Sequence, residues 1–296
     1  MAINDSVQVH SIIQFSGEVH TRMQQTQSRL EPYVKKMALK GKAAAYDGIG
    51  TIELDQLNGR YNDVVFSELE HWRRKITKMR FGRALPIDGY DINERLTNPE
   101  SGYADALAKA AKRTMDRVIY GAMFADVKTG EDFENTTTFA ADGGLTVDCT
   151  AGLTYEKLLE IHRNFIDGDV GNDNDAMFCM GITGDEHTAL MSELELTSGD
   201  YSRQMVIDGG TIQKAAGINL VKFADTVQQP ILSTAGGTRT SFCMVKDAIA
   251  LAINMDWSIK VQERNDKYST KQVIIEGVIG AVRTEGKMIQ KVTFTP

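Results

Sequence analysis

The sequence predicts an α+β fold in which strands and helices are intermixed along the chain. Three observations predict it. Between Met37 and Ile87, extended runs are punctuated by the turn signals Asp47-Gly48, Gly50 and Asn58-Gly59. From residue 102 to 124, apolar residues recur at helical spacing. Beyond Thr154, short strand-like and helix-like patterns follow one another with no internal repeat and no low-complexity segment. With 296 residues, 42% of them hydrophobic, and five prolines, the chain has the apolar material for an ordered structure of roughly two domains.

Residues 5–28 carry Val9, Ile12, Ile13, Phe15, Val19 and Met23 among polar residues, which predicts an amphipathic helical arm whose stripe needs a partner. Pro32 should end it. The stretches KKMALKGKAAAY, DGIGTIELDQLNGRYND and VVFSELEHWRRKITKMRFGRALPI then read as one long hairpin with an irregular tip. Legs of about 14 residues would reach roughly 45 Å at strand rise. A two-stranded ribbon of that length is marginal alone and leaves both edges open, so something outside the subunit is expected to cover it.

Asn98-Pro99 opens the clearest helix, since proline costs nothing in a first turn. Tyr103, Leu107, Ala111, Met115, Val118 and Ala122 line one face, with Asp105, Lys109, Lys112, Arg113, Asp116 and Arg117 on the other. The run VKTGEDFENTTTFAADGGLTVDCTAG predicts strands and loops. Thr154 is a plausible N-cap for a helix bearing Tyr155, Leu158, Leu159, His162, Phe165 and Ile166 on one stripe. There follow a strand over 176–182, a helix over 185–194, a compact stretch over 209–221, a strand over 241–245 and a helix over 247–253. Strands over 258–263 and 272–282, a turn at Gly286 and a last strand over 288–294 complete the chain.

The formal charge is −7, which argues against a protein that grips nucleic acid over its whole surface. Cys149, Cys179 and Cys243 are odd in number and far apart, so neither a disulfide framework nor a zinc knuckle is expected. The start MAINDSVQVH has no basic leader or apolar core, which predicts cytosolic synthesis. The apolar stretch 273–282 is too short and too interrupted to span a bilayer.

Motifs for chemistry are weak. The acidic run 167–175 fails calcium-loop grammar, with Gly171 at a ligand position and Phe178 where a bidentate glutamate belongs. Asp185-Glu186-His187 lacks the H-E-x-x-H spacing and reads as a surface helix N-terminus. His162, on an apolar stripe, reads as a packing residue. Gly209-Gly210 through Gly217 matches no phosphate cradle, and no serine sits in G-x-S-x-G. No catalytic, metal or cofactor-binding residue is expected.

The basic run Arg73, Arg74, Lys75, Lys78, Arg80 and Arg83 is the one strong charge feature. It could track a nucleic-acid backbone with Trp72 and Phe81 stacking, form a solvated strand edge, or be half of a charge-complementary contact between copies. For the last reading, the interface candidates are Arg73, Arg74 and Arg80 with carboxylates at Glu53, Asp55, Glu68 and Glu70, or in the loop 167–175. Strand parity would put Arg74, Lys78 and Arg80 on one face, and Arg73 with Lys75 on the other.

The order of parts resembles the major capsid proteins of tailed bacteriophages with the Hong Kong 97 fold. The segments that carry the resemblance are Gln24-Gln25 with Ser28-Arg29-Leu30 and GKAAAYDGIG, His71-Trp72 opening a returning strand, GGTIQKAAGINLV, and SIKVQERND followed by QVIIEGVIGAVRTEGKMIQKVTF. The resemblance implies an N-terminal arm (1–36), an extended hairpin loop (37–95), a peripheral domain with a long spine helix (96–149), an axial domain (150–284) and a C-terminal strand returning to the peripheral domain (285–296). It implies self-assembly through hexamers and pentamers into an icosahedral shell around double-stranded DNA, and a virion built in the host bacterial cytoplasm. Its implied partners are a portal and a separate scaffolding protein, since barely 36 residues precede the hairpin. DNA contacts would not be sequence-specific. With no lysine between Ala43 and Arg74, the lysine–asparagine cross-link some relatives make from this loop is not expected. The same fold builds encapsulin compartments; a soluble α+β enzyme and a nucleic-acid-binding protein are the rivals from other classes.

Overall fold

The computed structural model describes residues 24–41, 43–54, 56, 66–87, 100–172, 177–193, 207–208, 211–225, 230–264, 266 and 270–295. The expected arm helix up to Met23, the hairpin tip at Asn58-Gly59 and the helix start at Pro99 lie outside them.

Strands β1 (Lys35–Ala38), β2 (Ala43–Ile49), β3 (His71–Thr77) and β4 (Met79–Ile87) precede helix α1 (Glu100–Phe124). Then come β5 (Val127–Thr129), β6 (Asn135–Thr137), β7 (Leu145–Cys149), α2 (Tyr155–Asp167), β8 (Phe178–Ile182) and α3 (Gly184–Ser192). The short strands β9 (Ile207–Asp208), β10 (Thr211–Ile212) and β11 (Lys214–Ala215) lead to β12 (Ile218–Lys222), β13 (Thr234–Ala235) and β14 (Thr238–Val245). Long strands β15 (Ile249–Arg264) and β16 (Thr270–Arg283) and the closing β17 (Ile289–Phe294) end the chain.

Three larger sheets result. One runs β1-β15-β16-β4, another β11-β12-β8-β14-β17-β7 with β13 beside β14, and the third β2-β3-β5-β6. The 25 residues of α1 span about 37 Å at 1.5 Å each. Its predicted stripe is buried at Leu107, Ala111, Met115, Val118 and Ala122. Leu107 and Ala111 pack with Ile87, Val273 and Ile275 of the first sheet, while Met115, Val118 and Ile119 join a core shared with Phe223, Phe242 and Ile289. The helix therefore ties the two main sheets together. Thr154 does cap α2, accepting from the Lys157 backbone N–H, and Leu158, Ile161 and Phe165 are fully buried against the second sheet.

Several expectations are corrected. The segment 247–253 is no helix: Ile249 to Ala252 open β15, buried between parallel β1 and antiparallel β16. A strand covered on both sides reads as an unbroken apolar run, which periodicity cannot separate from a buried helix. The paired part of the hairpin is seven residues per leg, Ala43↔Thr77 to Ile49↔His71. The chain breaks at Lys78, and β4 pairs with β16 instead. Gly280 makes that crossing possible, since a Cβ there would lie 2.5 Å from the Thr77 carbonyl oxygen. Because β3 and β4 belong to different sheets, parity does not carry from Arg74 to Arg80. On α2, Leu159 and Ile166 are exposed and Ile161 takes their place in the core. Asp116, expected on the solvent face of α1, is buried.

Candidate assembly surface

The hairpin β2–β3 stands on a charged root. Arg74 donates to both carboxylate oxygens of Asp142, at 2.7 and 2.6 Å, and Arg283 donates from Nε to the same group at 2.8 Å. Arg283 Nη1 also donates to the Met123 and Ala125 carbonyls, where the end of α1 leaves acceptors without helical partners. The Arg74 guanidinium lies 5.0 Å over the Trp72 ring. Burial pushes the Asp142 carboxyl up, but the hydrogen bonds and charges of Arg74 and Arg283 outweigh it and hold it below the usual range. Around this root Leu39, Ile76, Val127, Ala250, Ala252 and Val282 form a small apolar cluster.

Arg74 is thus buried and spent inside its own chain, so it is withdrawn as a candidate contact to a neighbouring copy. Arg73 lies directly opposite Asp47 across the ladder and donates to it at 2.7 and 3.2 Å, with both side chains exposed. Arg80 sits 3.6 Å from Glu276, also exposed. Glu53, Glu68 and Glu70 are exposed, and no ion pair to them is found among the described residues; Asp55 lies outside those residues. The last bond between the legs is Gly50 N–H to the Glu70 carbonyl. Beyond it residues 51–54 and 66–70 are all exposed. Leu54 (95%) and Phe66 (92%) have almost nothing covering them, and Ile49, Ile52 and Leu69 are exposed too.

A second root lies where the chain arrives from its N-terminal segment. Asp116 on α1 accepts from Gln25 Nε2, Ser28 Oγ and the backbone N–H groups of Arg29 and Leu30. Ser28 Oγ in turn accepts from the Glu31 N–H at 3.1 Å. Arg29 donates to the Lys222 carbonyl and lies 5.7 Å over Phe223. Residues 25–30 therefore join α1 to the end of β12. Nothing in the helical spacing could reveal this role for Asp116, because its partners are 86 to 91 positions away.

The expected chemical motifs are absorbed by structure. Glu186 is buried in a capping box with Thr183 and pairs at 2.8 Å with buried Arg239, which also binds Asp225. It is not the surface acid the sequence suggests. His187 Nε2 accepts the Ile212 N–H, and His162 packs edge-on to Phe178. In the loop 167–175, Asn172 bonds Asp169, and residues 173–175 lie outside the described residues. All three cysteines are buried, and burial raises each thiol, that of Cys149 to about 11. Such thiols stay protonated near neutrality and make poor nucleophiles. Among the described residues no three His, Cys, Asp or Glu side chains gather as metal ligands, and no helix is long and apolar enough to cross a membrane.

The sequence profile of the family described as phage capsid protein matches residues 7–295. Solved structures are similar in fold. The cyanophage Pam1 capsid aligns over 99% of this chain and 98% of its own, with TM-score 0.74 and 12% identity. The capsid of cyanophage P-SCSP1u aligns over 97% and 94%, with TM-score 0.72 and 13% identity. The capsid of Helicobacter pylori bacteriophage KHP30 aligns over 99% and 98%, with TM-score 0.70 and 11% identity. The comparison with curated proteins finds no match. These likenesses show the Hong Kong 97-type capsid fold over nearly the whole chain.

Proposed function

We propose a function on one premise: the chain belongs to the phage capsid protein family. It is the major capsid protein of a tailed phage, assembling through hexamers and pentamers into the icosahedral shell that encloses double-stranded DNA. It works without catalysis. Assembly takes place in the host bacterial cytoplasm, with a portal and a separate scaffolding protein as partners, and the packaged DNA is held without sequence-specific contacts.

The observation that carries this reading is the hairpin. Its legs beyond Gly50 and Glu70 present Ile52, Leu54, Phe66 and Leu69 to solvent. Several large apolar side chains left exposed on one short stretch mark a surface built to be covered. The legs run from a root fixed by Arg74, Asp142 and Arg283, so the hairpin is a stiff projection aimed at something outside its own subunit, and a second copy is the partner a shell supplies. The exposed pairs Arg73–Asp47 and Arg80–Glu276 remain available to exchange partners at such a contact.

Negative-stain microscopy with light scattering on the purified chain tests this. Shells or capsomers support it; a stable monomer or small oligomer under every assembly condition, including with co-expressed neighbouring phage genes, would sink it.

A further inference from the structure

We propose that the flank of α1 beside residues 24–40, with the recess between them, is a track that binds backbone phosphates of the packaged double-stranded DNA. The inference rests on the reading of the chain as a shell subunit and assigns a surface to a contact which that reading leaves without one. It also moves the nucleic-acid contact away from the basic run of β3 and β4, where Arg73, Arg74 and Arg80 each have a carboxylate.

Local charge is the first ground. The chain carries −7 overall, yet residues 24–40 and 100–124 together hold eight lysines and arginines against four acids. One of those acids, Asp116, is buried and accepts from Gln25, Ser28 and two backbone N–H groups. Duplex DNA is repelled by most of such a chain and settles only where the sign reverses. Crowding of like charge is the second ground. Lys109, Lys112 and Arg113 stand at i, i+3 and i+4, which makes them neighbours on one flank of α1. Lys109 pairs with Asp105, whereas Arg113 donates to the neutral Gln24 at 2.6 Å, and no carboxylate pairs with it among the described residues. Burial, and after it the charge of Arg117, holds the Arg113 guanidinium below its usual value; the second cause is the mark of cations set side by side.

The recess is the third ground. About 350 Å³ in volume, it is lined by Gln27, Ser28, Glu31, Pro32, Lys36 and Lys112. Lys36 and Lys112 lie 2.7 and 3.4 Å from the two oxygens of Glu31, so one acid faces two ammonium groups. Their side chains are 51% and 38% exposed, within reach of a ligand arriving from solvent. A phosphate oxygen bridging the two lysines balances the charge, and the exposed Gln27 amide offers an uncharged donor beside them. Ammonium groups act on phosphate as point charges, so the track positions a duplex without reading its sequence. It follows that this flank of α1 faces the inside of the shell.

The test begins with the purified full chain and a fluorescent duplex of random sequence. Binding should weaken as salt rises, the slope of log K against log salt falling by about 0.9 per phosphate contacted. Lys36→Gln with Lys112→Gln should weaken binding about tenfold at low salt and flatten that slope, and Arg113→Gln should add to the loss. Circular dichroism and melting show whether each variant is folded, and Lys36→Gln alone serves if the pair is not. Inorganic phosphate at matched ionic strength should leave the duplex bound; displacement by it would assign the recess to the free ion and overturn the DNA reading. A second measurement needs no variant: formaldehyde should join Lys36 or Lys112 to DNA in filled wild-type particles, in peptides read by mass spectrometry. No duplex binding by wild type, binding unchanged in the folded variants, or filled particles without such links overturn the proposal while leaving the shell reading intact. Variants that bind the duplex normally and form no shells would assign the recess to a protein contact, and overturn it too. Failure of the wild-type chain to make any shell defeats the shell reading itself, while the duplex titration still reads the track.

Discussion

Arg74 and Asp142, 68 positions apart in sequence, meet through two hydrogen bonds at the foot of the hairpin. Arg283 closes on the same carboxylate and reaches the carbonyls at the end of α1. One buried acid thus fixes the hairpin to the long helix and to β16 at once, and the direction in which the hairpin projects depends on it.

Removing that acid should be costly. Asp142→Ala leaves two buried guanidinium groups without their counter-ion, and losing one partner of a buried pair typically costs about 3–5 kcal/mol. The same group confers acid sensitivity. Its folded value lies below the ordinary one for aspartate, near 3.9, so its contribution is complete above the unfolded value and is lost as pH falls through the folded one. Protection factors of backbone amides at 72–76, taken relative to intrinsic exchange at each pH, should fall as pH drops below about 4, and Asp142→Asn should show low protection already at neutral pH. Equal protection in wild type and Asp142→Asn at neutral pH would show that the root is held by apolar packing alone.

Asp116 makes a separate expectation. Asp116→Ala strips acceptors from the Arg29 and Leu30 N–H groups and the Ser28 hydroxyl, and each buried donor left unpaired costs roughly 1–3 kcal/mol. Leu30 and Val34 remain packed in the core with Met115 and Phe223, so the chain should stay folded. Limited proteolysis should then cut between residues 24 and 30 far faster than in wild type, and a cleavage pattern identical to wild type would contradict the assignment of Asp116 as the anchor.

The absence of lysine between Ala43 and Arg74 gives a third expectation. The hairpin tip has no amine to attack a side-chain amide, so denaturing gels of mature particles should show the monomer band alone. A ladder of covalent oligomers in reducing gels would refute it.

How much of this was legible in the sequence differs by element. The helix α1 and the capped start of α2 were, because an apolar stripe and a Thr154 cap are local signals. The hairpin root was not. Arg74 sits in a run of six cations that reads as a solvated or interfacial strip, and only the approach of Asp142 and the break at Lys78 turn one of them into a buried structural group. The start of β15 was misread for a related reason: Asp247 to Ile253 has helical composition, and pairing with β1 and β16 overrides local propensity. Asp116 and Glu186 were placed on solvent faces because their partners, Ser28 and Arg239, are brought up by tertiary structure alone. The exposed acids Glu53, Glu68 and Glu70 were named in the sequence; that no ion pair reaches them among the described residues, while Arg73, Arg74 and Arg80 each have a carboxylate, became visible only in the fold.

In the proposed shell, the projecting legs of the hairpin join one copy to the next. Deleting residues 51–63 removes exposed Ile52 and Leu54 while leaving the ladder from Ala43 to Ile49 and the Arg74–Asp142 root in place. Sedimentation of that variant beside wild type, under conditions where wild type forms shells, reads whether the legs carry the contact. The expected result is a folded chain, melting close to wild type, that stays in the slow-sedimenting fraction. Shells of normal size and yield from the deletion would contradict it.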